Sequence, residues 1–98
     1  MGAVFAKRQM RMEPAQVERG QKVNIWYNGP LASSQELYLH HGFDGWANPR
    51  PLKMSKATDG SFEVALTAQG QRDLEFCFHD GSGNWDNNGG LNWQCLII

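Results

Sequence analysis

Phe62-Glu63-Val64-Ala65-Leu66 and, beyond a turn at Gly70, Leu74-Glu75-Phe76-Cys77-Phe78-His79 place an apolar side chain at every second position. A period of two belongs to extended chain with one face buried, because successive side chains of a strand point to opposite sides. The same alternation recurs on either side of this pair. Val23, Ile25 and Tyr27 face inward with Asn24 and Trp26 outward, Leu37 and Leu39 face inward with Tyr38 and His40 outward, Leu52 and Met54 flank Lys53, and Leu96, Ile97 and Ile98 form an apolar ending. At least six strands are expected, and another at Met10 to Glu13, stopped by Pro14, brings the number to the seven of an immunoglobulin-like sandwich.

Turn-forming clusters separate these runs at Asn28-Gly29-Pro30, Gly42 to Arg50, Asp59-Gly60, Gly70 and Asp80 to Gly90. No stretch carries a convincing helical period. The expectation is an all-β chain, an immunoglobulin-like antiparallel β-sandwich over residues 10–98, with residues 1–9 loose and neither a repeat nor a linker.

A chain of 98 residues makes one domain with a thin core. Its 41% hydrophobic and 19% charged residues are ordinary globular usage, which argues against disorder. Net charge is −1, unevenly spread: the first 22 residues hold five Lys/Arg against two Glu, and residues 23–98 hold four against eight Asp/Glu. Nucleic acid is not the expected partner, because Asp80 to Trp93 contains two aspartates and no cation to neutralise phosphate. Cys77 and Cys95 are too few for a disulfide framework; two free thiols are expected, although neighbouring strands could bring them close. The apolar run Ala3 to Ala6 falls short of the ~7–15 residues of a signal peptide's hydrophobic region, and no run approaches a membrane span. The segment reads as a soluble, unsecreted monomer with no membrane contact, its compartment depending on any longer parent protein.

Four tryptophans stand among the 98 residues, and Trp46 and Trp85 lie in Gly/Asn/Asp-rich loops. Loops are normally at the surface, so a large apolar ring there either folds back over the core or faces a ligand. Composition alone leaves both open. The setting of Trp85, Asp80-Gly81-Ser82-Gly83-Asn84-Trp85-Asp86-Asn87-Asn88-Gly89-Gly90, surrounds one ring with groups that donate and accept hydrogen bonds. A pyranose has an apolar C–H face that packs on indole and a rim of hydroxyls that amides and carboxylates can hold. His40, outward just before Gly42-Phe43-Asp44-Gly45-Trp46, could bond a sugar hydroxyl or be a solvated strand histidine. His41 should face the core side, and His79 faces outward beside the long loop; neither has a comparable claim.

Leu39-His40-His41-Gly42, Gly45-Trp46, Phe78-His79-Asp80-Gly81 and Trp85-Asp86-Asn87-Asn88, in this order, resemble the starch-binding carbohydrate-binding modules of families 25 and 53 over about residues 12 to 98. The last string, with its following Asn92-Trp93 pair, is also similar to family 21. The resemblance implies a non-catalytic β-sandwich that binds α-1,4-glucan, whether starch, glycogen or maltooligosaccharide, with no cofactor and no metal. It implies His40, Trp46 and Trp85 as principal contacts, with Asp86, Asn87 and Asn88 completing the carbohydrate-binding set. Trp93 stands where such modules usually carry tyrosine and is expected to pack; Trp26 likewise replaces a tyrosine and is expected to be a minor contact or cover for the sheet. The Gly42 to Trp46 turn is shorter than in some members, so the separation of the two rings is left open.

Three rival readings are weaker. A glycosidase using Asp80 and Asp86 needs a buried acid with a raised pKa, which a wet loop does not supply. A calcium loop at Asp80-x-Ser82-x-Asn84-x-Asp86 has Trp85 at the sixth position and Leu91 at the twelfth, where glycine and glutamate are required. An immunoglobulin-like protein-interaction domain fits the fold but gives no reason for the Asn-rich surroundings of Trp85.

Overall fold

The computed structural model describes residues 9–98. In chain order the strands are β1 (Met10–Glu13), β2 (Gln16–Val17), β3 (Lys22–Tyr27), β4 (Tyr38–Phe43), β5 (Ala47–Lys53), β6 (Ser55–Lys56), β7 (Phe62–Thr67), β8 (Asp73–His79), β9 (Trp85–Asp86) and β10 (Trp93–Ile97). They form two sheets, one ordered β1-β3-β7-β6 and the other β2-β10-β8-β4-β5, with β9 added to β8. The chain is an all-β sandwich, antiparallel except for β2, which runs parallel to β10. A three-residue 3₁₀ turn, Asn88–Gly90, is the single helical element among the described residues.

The inward rows read from the alternation are the core. Val23, Ile25 and Tyr27 of β3 and Leu74, Phe76 and Phe78 of β8 are fully buried, joined by Leu37, Leu39 and Phe62. Burying each such side chain contributes about 1.5–3 kcal/mol relative to leaving it in water, so these rows hold the sheets together. Tyr27 packs on Phe78 with ring centroids 4.3 Å apart, and Trp93 packs on both Phe76 and Phe78 at 6.2 and 5.2 Å.

Several expectations are corrected. The turn expected over Gly42 to Arg50 is confined to Asp44 to Trp46, because β4 continues to Phe43 and β5 begins at Ala47. A strand was expected only around Leu52 to Met54, and Pro49 and Pro51 masked its earlier start, yet β5 is an edge strand, where a missing N–H is tolerated. The long loop after β8 folds back to form β9, with Trp85 opposite His79 and Asp86 opposite Phe78. Of the apolar ending only Ile97 points inward; Leu96 and Ile98 are exposed. Cys77 pairs with His40 on the outer face of its sheet and Cys95 pairs with Leu74 on the inner face, so both remain free thiols. Of the segment expected to be loose, residues 1–8 lie outside the described residues; Gln9 is tied in through its carbonyl, which accepts the Asn28 amide at 2.8 Å.

Candidate functional site

The outer face of the larger sheet is built by register. Tyr38 stands opposite His79, and His40 opposite Cys77, across β4 and β8; β9 then sets Trp85 beside His79 on the same face. Four aromatic side chains therefore share one surface without any long-range coincidence of loops. Their rings touch in a chain. Tyr38 stacks on His79 at 5.1 Å, His79 packs against Trp85 at 4.4 Å, and His40 makes T-shaped contacts with His79 and Trp85 at 6.0 and 5.3 Å.

Trp46 completes the group from the turn. Its ring stacks on His40 at 5.7 Å, and its backbone takes φ +65°, a conformation that costs a bulky residue free energy and is held only where the surroundings enforce it. Two neighbours enforce it. Gly42 has no side chain, and a Cβ there would lie 2.9 Å from the Trp46 Cα, so the turn can lie down on the strand. The Asp44 carboxylate accepts the amides of Gln71, Arg72 and Asp73 at 2.7–3.3 Å, pinning the turn to the loop before β8; these bonds hold its pKa below the ordinary carboxylate value.

The plane of Trp46 lies 27° from that of His40, and the plane of Trp85 lies 88° from it. The two indoles are therefore inclined to each other by at least 61°, the difference of those angles. Trp85 is 53% exposed and Trp46 is half-buried. Cys77 lies beneath these rings: it belongs to the outward set yet is 5% exposed, and burial pushes its thiol pKa up to about 11.

The structure gathers the rings of His40, Trp46 and Trp85 on one surface. Asp86 is the expected contact that it turns the other way, because its pairing with Phe78 sends the side chain inward. There Oδ2 accepts the Tyr27 hydroxyl at 2.6 Å and Oδ1 the Asn88 amide at 3.3 Å, while the Leu31 amide donates to the Tyr27 oxygen at 3.1 Å. Burial and the carboxylate together keep Tyr27 protonated. Asn87 and Asn88 are exposed beside Trp85; Asn87 Oδ1 accepts the Gly90 amide at 3.0 Å and Asn88 Nδ2 donates to the Asn92 carbonyl at 3.0 Å. The Asn87 Nδ2 and the Asn88 Oδ1 take no part in these two bonds.

Two neighbours in this cluster had no role in the sequence reading: Tyr38, read only as outward, and His79, read as outward beside the long loop and passed over. His79 Nδ1 accepts the Gly81 amide at 3.1 Å, which fixes the neutral tautomer with its proton on Nε2 as a donor. Burial and the neighbouring His40 lower its pKa. The signal was present in the alternation of β8, but the residue that gives it meaning, Trp85, lies on a two-residue strand. Asp80 holds the intervening loop by accepting the Ser82 and Asn84 amides and the Asn84 side chain at 2.8–3.2 Å. His41 lies on the inner side as expected, lining a hollow of about 370 Å³ with Arg50 and Asn48, away from these rings.

A model of the starch/carbohydrate-binding module (family 53) matches residues 23–76. The chain is similar to an α-amylase of Clostridium acetobutylicum, 41% identical over 75 residues that make up 76% of this chain and 10% of the relative. It is also similar to the chloroplastic/amyloplastic starch synthase 3 of Arabidopsis thaliana, 26% identical over 96% of this chain and 11% of the relative. An α-amylase of Niallia circulans is 30% identical over 76% of this chain and 6% of its own length. The chain thus spans about a tenth or less of the curated relatives it matches. The solved iodinated CBM25 from a Bacillus halodurans amylase has the same fold, with a TM-score of 0.63 at 22% identity, over 79% of this chain and 82% of that one. Since the matched residues run from the first buried position of β3 well into β8 and make up more than half of the chain, the protein belongs to the family 53 starch/carbohydrate-binding modules.

Proposed function

We propose that this module binds α-1,4-linked glucan without catalysing a reaction, laying successive sugar rings on Trp85 and Trp46. The observation that carries the reading is the inclination of the two indoles by at least 61° around His40. Successive residues of an α-1,4-glucan turn relative to one another, and angled platforms can each meet a C–H face along such a curve; a flat β-1,4 chain calls for platforms lying in one plane. Membership of a starch/carbohydrate-binding family supports the same ligand class.

The polar groups around the rings suit hydroxyls. His40 packs against both platforms, His79 offers its Nε2 proton beside Trp85, and the exposed Asn87 and Asn88 follow Trp85 in the chain. Asp86 serves by holding β9 against Tyr27, which makes it a positioning residue for Trp85. Each stacked ring contributes about 1–3 kcal/mol by analogy with base stacking, and each net hydrogen bond about 0.5–1.5 kcal/mol. After the cost of association, dissociation constants in the micromolar to millimolar range are expected. The binding module is read as residues 10–98, counted from the start of β1.

Titrating tryptophan fluorescence with maltoheptaose and with cellohexaose tests the reading. Maltoheptaose gives a saturable change and cellohexaose gives none; equal responses, or no response to either, would overturn it.

A further inference from the structure

The opposite face of the sandwich carries a tryptophan of its own, Trp26 on β3. On the smaller sheet the register aligns Arg11, Trp26, Glu63 and Ser55 in one row across all four strands, and Asn24 with Ala65 in the next row. Trp26 is held on two sides: the Arg11 guanidinium lies 4.7 Å from its ring centroid, and its Nε1 donates to Glu63 Oε2 at 3.0 Å. Ala65 is too small to fill the space in its row. A hollow of about 260 Å³ results, with Trp26 as a wall and Asn24, Ser55 and Glu63 around it.

We propose that this hollow is a second sugar-binding site, taking a neutral pyranose of the same glucan, so that the module grips two chain segments on opposite faces. The chemistry selects the ligand. An amide, a hydroxyl and a carboxylate beside an indole offer hydrogen bonds to hydroxyls and an apolar surface to a C–H face. Glu63 disfavours an anion, and the guanidinium stacked on Trp26 disfavours a cation. The proposal rests on the α-glucan reading of the first site for its ligand, but its residues belong entirely to the other sheet. Two weak sites on one rigid body raise retention on a polymer through effective concentration.

The four indole N–H resonances of the isotope-labelled protein, titrated with maltoheptaose, separate the two sites. The Trp26 resonance is expected to shift saturably in the wild type and in Trp85→Ala, and to stay fixed in Ala65→Leu, which fills the hollow on an exposed strand position while leaving the Trp46 and Trp85 shifts in place. Movement of Trp46 and Trp85 without Trp26 overturns this proposal and leaves the first site standing; so does a Trp26 shift that vanishes in Trp85→Ala. If no indole moves, both fall.

Discussion

Trp85 projects from a two-residue strand with more than half of its surface in water, so folding gains little from it. Its replacement separates binding from stability. Trp85→Ala is expected to weaken maltoheptaose binding by about 5- to 150-fold, the equivalent of one stacked ring, while thermal unfolding shifts by no more than the ~0.5 kcal/mol of an ordinary surface change. Loss of stability with unchanged affinity would mean that the ring caps the core. Gly42→Ala probes the other platform without touching its ring: the new Cβ meets the Trp46 backbone and must push the turn off the strand. Because the nearest atom it meets is backbone, the shift costs stability as well; calorimetric titration should show weaker binding alongside a lowered melting temperature, and an unaltered affinity would remove Trp46 from the site. The importance of Gly42 is invisible in sequence, because it arises from a contact between a strand residue and a turn four residues later.

At the scale of elements, the site depends on β9 lying flat on β8, where a part-buried side-chain bond from Tyr27 to Asp86 adds to the sheet pairing that holds it there. Tyr27→Phe removes the hydroxyl that Asp86 and the Leu31 amide share. A half-buried carboxylate then loses a partner, at a cost of about 1–3 kcal/mol, and the strand bearing Trp85 loosens. Urea unfolding should show that loss, and the same variant should bind maltoheptaose less tightly; a destabilised variant with full affinity would show that β9 keeps its place without Tyr27. Strands with inward rows at every second position, such as β3, β4, β7 and β8, were legible because burial on one face writes itself into the alternation. The extent of β5, the two-residue strands β2, β6 and β9, and the inward turn of Asp86 were not, because a proline-bearing edge and pairings of two residues carry no period.

For the whole molecule, protonation separates two pH ranges. Burial lowers the pKa of His41 and His79 below the ordinary 6.5, so their contribution is complete above that value and is lost as pH falls through the lower folded values. Asp44, Asp59 and Asp80 are held below 3.8 by hydrogen bonds within their own turns or to a neighbouring loop, and their contribution is lost in the same direction at lower pH. The melting temperature should therefore be level near neutrality, decline below about pH 6.5, and decline again below about pH 3.8. Glucan affinity should weaken in the first range, because a second proton on His79 ends the Gly81 bond that orients it. A melting temperature that rises on mild acidification would contradict these assignments.

Nuclear Overhauser contacts in the maltoheptaose complex reach the central claim most directly, since they report which protons of sugar and protein lie against each other. Cross-peaks from pyranose C–H protons to the ring protons of both Trp46 and Trp85 are the predicted result. Sugar protons that bind yet contact neither indole would contradict it.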